Sequence, residues 1–323
     1  MPRKTNALLD HVVLLLPYED IIDPPSWITD KFHVSPGGKH ADGRTENKLV
    51  LFRDGTYLEL VAFTRDDSEK RKGHFWGDKA NGVIDLALTP RESLDVSALR
   101  DRLGEAGSDI SYADPVEGGR RTADRQELKW KVTFPAPGVE RGLVPFFCED
   151  LTPRERRVPA MNGNTHHPCG AVGLSGVVIE VSDGHYERLN KSMGAIVNAA
   201  PIEQGRYPLG TPFEIGRPDQ PSVWIRRRPL DGEKEMQLKL VVQCPGKGDQ
   251  PNLEQRVGEG VVLIDMDEDT VGRSGKDKVD GTAVQMTPAS VASGTQLCRS
   301  FVSRSQPQMN DNIVQWQRHS RMA

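Results

Sequence analysis

The chain has 323 residues, the length of one large or two medium-sized domains. Its 42 Lys and Arg residues nearly balance its 46 Asp and Glu residues, so the formal net charge is −4, which argues against the basic face of a nucleic-acid-binding protein. No apolar run is long enough for a membrane span, and the start lacks a signal-peptide pattern. We therefore predict a cytoplasmic protein that binds neither nucleic acid nor membranes. Its oligomeric state, monomer or homodimer, stays open.

The four cysteines lie far apart and form no CxxC pair, which predicts free thiols in a reducing compartment.

The first predicted secondary-structure elements follow from the pattern of apolar residues. Residues 8–16 are an apolar run that ends at Pro17, as a short buried strand would. Pro24 and Pro25 suit the first turn of a brief helix that reaches Phe32. The chain thus opens with a strand followed by a helix.

A hairpin is the clearest local pattern of the first half. Asp54-Gly55 stands between two β-prone stretches and predicts a two-residue type I′ turn. In that register Phe52 pairs with Tyr57, and Val50 pairs with Glu59. Strand alternation then places these four side chains on one face of the sheet.

The same order of elements returns after residue 81. Residues 82–88 predict a strand, residues 96–106 predict a helix that ends at Gly107, and residues 128–134 and 143–149 predict further strands. Residues also match between the halves, in increasing offset along the chain. We therefore predict a duplication, with modules at about residues 7–76 and 82–150. The matched pairs include Gly37/Gly118, His11/Asp85 and Glu59/Glu149.

The pattern weakens beyond residue 181. Residues 182–245 predict a partial third module, with a helix at 186–193 and strands at 213–215, 222–228 and 236–242. From residue 246 onward polar residues dominate, so residues 246–323 are predicted to be a disordered tail. Two alternatives stay open for that tail. Its apolar stretch at residues 261–266 adds a strand to a sheet edge, or the tail stems from a mispredicted exon boundary.

Several motifs together resemble the glyoxalase-like branch of the vicinal oxygen chelate superfamily. They are Leu9-Asp10-His11-Val12-Val13, Gly37-Gly38-x-His40, Arg44-Thr45-x-Asn47-x-Leu49, Asp54-Gly55-x-Tyr57-Leu58-Glu59-Leu60, Pro145-Phe146-Phe147-x-Glu149 and His167-Pro168. The resemblance spans residues 7–181. It implies an α+β fold in which repeated βαβββ modules form an open, cupped mixed sheet.

The resemblance also implies a site, because metal enzymes of the superfamily take ligands from the first and last strands of each module. The matching positions here are His11 and Glu59 in the first module and Asp85 and Glu149 in the second. One imidazole and three carboxylates suit Mn²⁺, Mg²⁺ or Fe²⁺. Asp85 departs from the superfamily pattern, which often has His or Gln there. Glu59 or Glu149 is the predicted catalytic base.

A predicted substrate pocket surrounds these groups, and each group also has a structural interpretation. His11 suits a satisfied core histidine, and Glu149 suits an exposed strand end. Glu59 among apolar neighbours needs a cation or a proton. The basic runs at residues 154–157 and 226–228 are interpreted as solvated faces. The predicted pocket residues are His40, Arg44, Asn47, Phe52, Tyr57 and His167.

Two functions stay open. In the first, a divalent metal held by His11, Glu59 and carboxylates of the second module polarises a small oxygenated substrate and stabilises an enolate. In the second, the cupped sheet binds a small aromatic or amphiphilic molecule without metal or catalysis. The predicted lining for that second function is Phe52, Tyr57, Trp130, Phe146 and Phe147.

Overall fold

The computed structural model of the protein describes residues 5–40, 42–121, 127–216, 219–228, 236–245, 252–258 and 260–267. The strands are β1 Ala7–Leu15, β2 Ser35–Lys39, β3 Thr45–Leu51, β4 Tyr57–Phe63, β5 Gly82–Pro90, β6 Val116–Arg121, β7 Glu127–Thr133, β8 Phe146–Asp150, β9 Gly173–Val181, β10 Arg206–Pro208, β11 Ser222–Arg227, β12 Met236–Gln243, β13 Leu253–Val257 and β14 Gly260–Asp267. The helices are α1 Tyr18–Ile22, α2 Ser26–Thr29, α3 Ser68–Arg71, α4 Val96–Glu105, α5 Arg154–Arg157 and α6 Asp183–Val197.

One pairing pattern occurs twice in the first half of the chain. β1 pairs in parallel with β4, and β4, β3 and β2 follow as antiparallel neighbours. β5 likewise pairs in parallel with β8, and β8, β7 and β6 are antiparallel neighbours. The two sets join through the antiparallel pair β1–β5. The predicted α+β fold with repeated βαβββ modules in an open mixed sheet is confirmed.

The second half carries a shortened version of the same pattern. β9 pairs in parallel with β11 and antiparallel with β12, as β1 does with β4 and β5. β12 in turn pairs in parallel with β14, whose antiparallel neighbour is β13. The predicted strand at residues 213–215 is wrong, since the strand between β9 and β11 in the chain is β10, at Arg206–Pro208. Phe213 instead packs its ring against the turn at Gly55.

The last two strands lie inside the segment predicted to be disordered. β14 extends the sheet between β12 and β5, and its side chains Val262, Ile264 and Met266 are buried. The disorder prediction is therefore wrong for residues 253–257 and 260–267. The alternative strand at residues 261–266 does form, but it lies between two strands rather than at a sheet edge. The physical reason is the alternation of those three apolar residues, which suits a strand with one buried face. Residues 268–323 lie outside the described residues.

The hairpin between β3 and β4 differs from the prediction by one residue. Leu51 pairs with Tyr57, and Leu49 pairs with Glu59. Gly55 has a positive φ of 80°, whereas Asp54 does not, so the turn is not type I′. A one-residue shift reverses the face of every side chain on a strand. Val50 and Phe52 therefore lie on the face opposite to Glu59.

The sheet buries two separate apolar faces. Leu9, Val12 and Phe147 pack towards the helices, and we name this the helix face. Val13 and Phe146 belong to the second cluster, with Val61, Ala87 and Cys148, and we name this the site face. Within β1 the pairing with β5 shifts between Leu9 and His11, so Asp10 is the extra residue of a bulge. The bulge breaks the strict alternation at Asp10 and His11.

Two further observations concern the surroundings of the protein. Among the described residues no helix is long and apolar enough to cross a bilayer. Cys148, Cys169 and Cys244 are buried and form no disulfide within the described part of the chain, while Cys298 lies outside the described residues.

Removal of residues 246–323 is expected to destabilise the protein because it deletes β13 and β14. Burial of the three apolar side chains of β14 contributes enough that we expect a melting temperature lower by about 5 °C or more. The matched control is removal of residues 268–323, which leaves β14 in place. Equal melting temperatures for the two truncated chains, measured by circular dichroism, would show that β14 contributes nothing to stability.

Candidate functional site

The polar centre of the site face is the carboxylate of Glu59 on β4. Its Oε1 accepts a hydrogen bond from Asn47 Nδ2 at 2.7 Å and lies 3.2 Å from His40 Nε2. Its Oε2 lies 3.6 Å from His11 Nε2 on β1. Glu59 and His11 are buried, and the His40 side chain is 38 % exposed. We name these four residues the Glu59 cluster.

Backbone geometry at β2 places the amide of Asn47. A Cβ atom on Gly37 would lie 2.2 Å from the Asn47 carbonyl oxygen, so a side chain there is excluded. Gly38 N then donates to Asn47 Oδ1 at 2.9 Å, which leaves Nδ2 free to reach Glu59. The first glycine of the Gly37-Gly38 pair is therefore required for close packing of β2 on β3.

His11 is held from its other side by Asp10. Asp10 Oδ2 lies 2.9 Å from His11 Nδ1, and the imidazole stacks on Tyr57 at a centroid distance of 4.6 Å. Burial opposes the charge of Asp10, but Arg154 and Arg157 outweigh it and hold the pKa of this carboxyl well below its usual range. An ionised Asp10 only accepts hydrogen bonds. Nδ1 of His11 therefore donates, and Nε2 faces Glu59.

A buried ion network fixes Asp10 in turn. Arg157 Nη2 lies 3.2 Å from Asp10 Oδ2, and its Nη1 donates to the Tyr57 hydroxyl at 2.9 Å. Arg154 also forms an ion pair with Asp10, and both arginines bind Asp150 on β8. The prediction that residues 154–157 form a solvated face is wrong for these two side chains, since α5 turns both of them inward. The i, i+3 spacing of two arginines was the available signal.

The charge of Glu59 depends on its neighbours. Burial alone would raise the pKa of this carboxyl. The hydrogen bond and charge of His40, the charge of His11 and the Asn47 hydrogen bond reverse that effect and lower the pKa to about 2. Glu59 is therefore ionised over the neutral pH range.

Two predicted metal ligands are not brought to this cluster. Asp85 pairs with Val13 rather than with His11, and its carboxylate binds Arg141 Nη2 at 2.6 Å and Trp76 Nε1 at 2.9 Å. Glu149 faces the start of α4 on the helix face, because its neighbour Cys148 occupies the site face. There it accepts hydrogen bonds from the Ser93 hydroxyl and from Leu94 N and pairs with Lys131.

The predicted pocket residues divide in the same way. His40, Asn47 and Tyr57 lie at the site. Phe52 is fully buried on the helix face, where its ring meets that of His167 at 5.0 Å. His167 accepts from His33 N and donates to the Leu51 carbonyl, and burial lowers its pKa to about 4. Arg44 donates to backbone carbonyls of residues 70 and 72.

The predicted four-residue metal site therefore does not fit this structure. Asp85 is neutralised by Arg141, and Glu149 lies on the other face of the sheet. Within the described ranges, no group of three or more His, Cys, Asp or Glu side chains is arranged to hold a metal ion. The remaining polar groups, those of the Glu59 cluster, are hydrogen-bonded or close to one another.

The chain is similar to known proteins in sequence and in fold. A family model described as glyoxalase-like domain matches residues 9–192. No curated protein matches the chain. The crystal structure of a hypothetical protein from Staphylococcus aureus superposes with a TM-score of 0.55 at 13 % identity, over 80 % of this chain and 99 % of that one. The two proteins share a fold.

Two further solved structures match with lower TM-scores. Methylmalonyl-CoA epimerase from Mycobacterium tuberculosis aligns over 49 % of this chain and 97 % of its own, with 18 % identity and a TM-score of 0.33. A xylose isomerase-like TIM barrel/4-hydroxyphenylpyruvate dioxygenase fusion protein aligns over 85 % of this chain and 51 % of its own, with 8 % identity and a TM-score of 0.45.

Replacement of Arg157 is expected to destabilise the protein strongly, because Arg157→Gln leaves buried carboxylates without one of their cations. Removing one partner of a buried ion pair costs about 3–5 kcal/mol of unfolding free energy. The neighbouring Arg156 is exposed, so Arg156→Gln should change this free energy by less than about 0.5 kcal/mol. Urea denaturation of both variants measures the contrast. Similar losses of unfolding free energy in the two variants would contradict the burial of Arg157.

The low pKa of Glu59 predicts a pH-dependent contribution to stability. Since its folded-state pKa of about 2 lies below the ordinary 4.5, the ionised form stabilises the folded chain above about pH 4.5. That contribution is lost as the pH falls towards about 2. The difference in unfolding free energy between the wild type and Glu59→Gln should therefore shrink over this range. Glu254→Gln, on an exposed position of β13, is the control, and a pH-independent difference for Glu59→Gln would refute the assignment.

Proposed function

Because the chain belongs to the glyoxalase-like domain family of the vicinal oxygen chelate superfamily, we propose that it acts on a small oxygenated molecule by proton transfer at the Glu59 cluster. The observation that carries this proposal is the placement of Glu59. One buried carboxylate there meets an amide and two imidazoles, on the face of the sheet opposite to the helices. Such convergence of titratable groups is typical of acid–base sites.

His11 is the proposed base. Asp10 holds its Nδ1–H, so the lone pair of a neutral ring is at Nε2, the atom directed towards Glu59. Glu59 itself is a poor base, since its pKa is about 2. Its proposed role is electrostatic, because an ionised carboxylate 3.6 Å away stabilises the imidazolium that forms when His11 takes a proton.

The proposed step moves one proton away from a carbon and back again. The C–H bond next to a substrate carbonyl breaks, its proton passes to His11 Nε2, and its electron pair forms an enolate on the carbonyl oxygen. Return of the proton to the same carbon gives exchange with solvent. In an α-hydroxy carbonyl compound, its return to the former carbonyl carbon, with transfer of the hydroxyl proton to the enolate oxygen, completes an isomerisation without any oxidant. His40 is the more exposed of the two imidazoles of the cluster, so an entering substrate meets it first.

Binding without catalysis is the second candidate function. The observation in its favour is that aromatic rings surround the cluster, with Tyr57 stacked on His11 and Phe146 at 5.5 Å from it. Phe52 and Phe147 of the predicted lining lie on the helix face and take no part. Trp130 packs against the site-face cluster and stays in the proposed lining.

Proton exchange tests the catalytic proposal directly. Hydroxyacetone and glycolaldehyde are incubated with the protein in D₂O, and loss of the C–H signal is followed by proton NMR. We expect exchange with the wild type and a loss of about 100-fold or more in His11→Gln, since general base catalysis contributes that much. His166→Gln, which removes an exposed imidazole outside the cluster, should leave the rate unchanged.

Three outcomes would contradict the proposal. Binding of these compounds without exchange would support the sequestering function instead. Equal rates in His11→Gln and His166→Gln would remove His11 from its role. Exchange that disappears on dialysis against EDTA and returns with Mn²⁺ or Zn²⁺ would show a metal-dependent reaction. We expect EDTA to have no effect.

A further inference from the structure

A cavity lies beside the Glu59 cluster on the same face of the sheet. It has a volume of about 390 Å³, within the size range of small-molecule sites, and it is lined by Ser35, Leu49, Leu51, Arg156 and Arg157 among others. Strand register relates it to the cluster, because Ser35 pairs with Leu49 and Leu49 pairs with Glu59 across β2, β3 and β4. The cavity and the cluster are therefore neighbours along one row of side chains.

The cavity combines an apolar wall with one uncompensated charge. Leu49 and Leu51 form part of the wall. The charge of Arg157 is matched by Asp10 and Asp150, as described above. Arg156 is exposed and makes no side-chain hydrogen bond or ion pair within the described part of the chain. One cation thus stands at the cavity without a partner.

Ser35 supplies an independent indication of a ligand. The residue is 7 % exposed, and its hydroxyl is buried with no hydrogen-bond partner among the described residues. A buried polar atom without a partner is unfavourable for folding, and such atoms are uncommon. A ligand oxygen in the cavity would satisfy it.

We propose that this cavity binds the carboxylate end of a small amphiphilic molecule, with the apolar part against Leu49 and Leu51 and the carboxylate at Arg156 and Ser35. The inference rests on the proposed function, because it assigns a substrate class to the same site. The reacting carbonyl of such a molecule would extend along the row towards Glu59. An inorganic oxyanion is disfavoured, since it would leave the apolar wall uncovered and would have one free cation as its partner.

Octanoate is the probe for this assignment, with octanamide and inorganic phosphate as comparison ligands. Isothermal titration calorimetry of the full chain should show octanoate binding more tightly than either. Arg156→Gln should weaken octanoate binding about fivefold, the effect of roughly 1 kcal/mol for one exposed charge contact. Arg226→Gln removes an exposed arginine on β11, outside the cavity, and should leave octanoate affinity unchanged.

Ser35→Ala separates a ligand contact from a structural role. Removing an unsatisfied buried hydroxyl should keep or raise the melting temperature of the free protein, whereas octanoate affinity should fall about fivefold, the value of one hydrogen bond. A variant with lower stability and unchanged affinity would overturn the role of Ser35.

The failure of this inference is distinguishable from the failure of the proposed function. Octanoate should still bind to His11→Gln, in which proton exchange is lost. Equal affinities for octanoate and octanamide would overturn the carboxylate assignment, as would equal losses in Arg156→Gln and Arg226→Gln. Tighter binding of phosphate than of octanoate would overturn the amphiphile assignment and would leave the proton-exchange result intact.

Discussion

Burial of the Asp10 carboxylate is the constraint on which the site depends. A charge taken out of water inside an apolar strand needs compensation, and the chain supplies it from α5, far away in sequence. The two arginines that neutralise Asp10 also bind Asp150, so they connect the first strand of one module to the last strand of the other. The Asp10 carboxylate also fixes the position of the His11 ring hydrogen, because it accepts a hydrogen bond from Nδ1. The charge of Asp10 thus orients the His11 imidazole and, through the two arginines, holds the two modules together.

Much of the fold was predictable because its buried strands are apolar runs bounded by turn residues. The repeated order of elements follows from patterning, and the residues of the first module, His11, His40, Asn47 and Glu59, do meet. What the sequence could not specify is register. The turn at Asp54-Gly55 is compatible with more than one loop length, and one residue of difference moved Phe52 to the other face. The bulge at Asp10 likewise depends on how β1 pairs with β5, so the sequence of β1 alone does not predict it.

The second module shows why matched positions in a repeat need not match in chemistry. The counterparts of the polar pair His11 and Glu59 were expected at Asp85 and Glu149. In the structure Ala87 stands opposite His11, and Cys148 takes the site-face position next to Glu149. Arg141 covers Asp85 and also lies over the ring of Phe134 at 4.3 Å, so this half of the face is closed by a cation and aromatic rings. The polar chemistry is concentrated in one module, and the other supplies packing.

The position of β14 has a consequence for how the chain reaches its folded state. This strand enters the sheet between β12 and β5, so that Val261 pairs with Gly82. Strands this distant in sequence pair only after the intervening chain has become compact, and the entropy cost of closing such a long loop delays that step. During synthesis β5 is complete long before β14 leaves the ribosome. Until then the edge of β12 is an unpaired strand surface of the nascent protein, and pairing with β14 protects it from association with other chains.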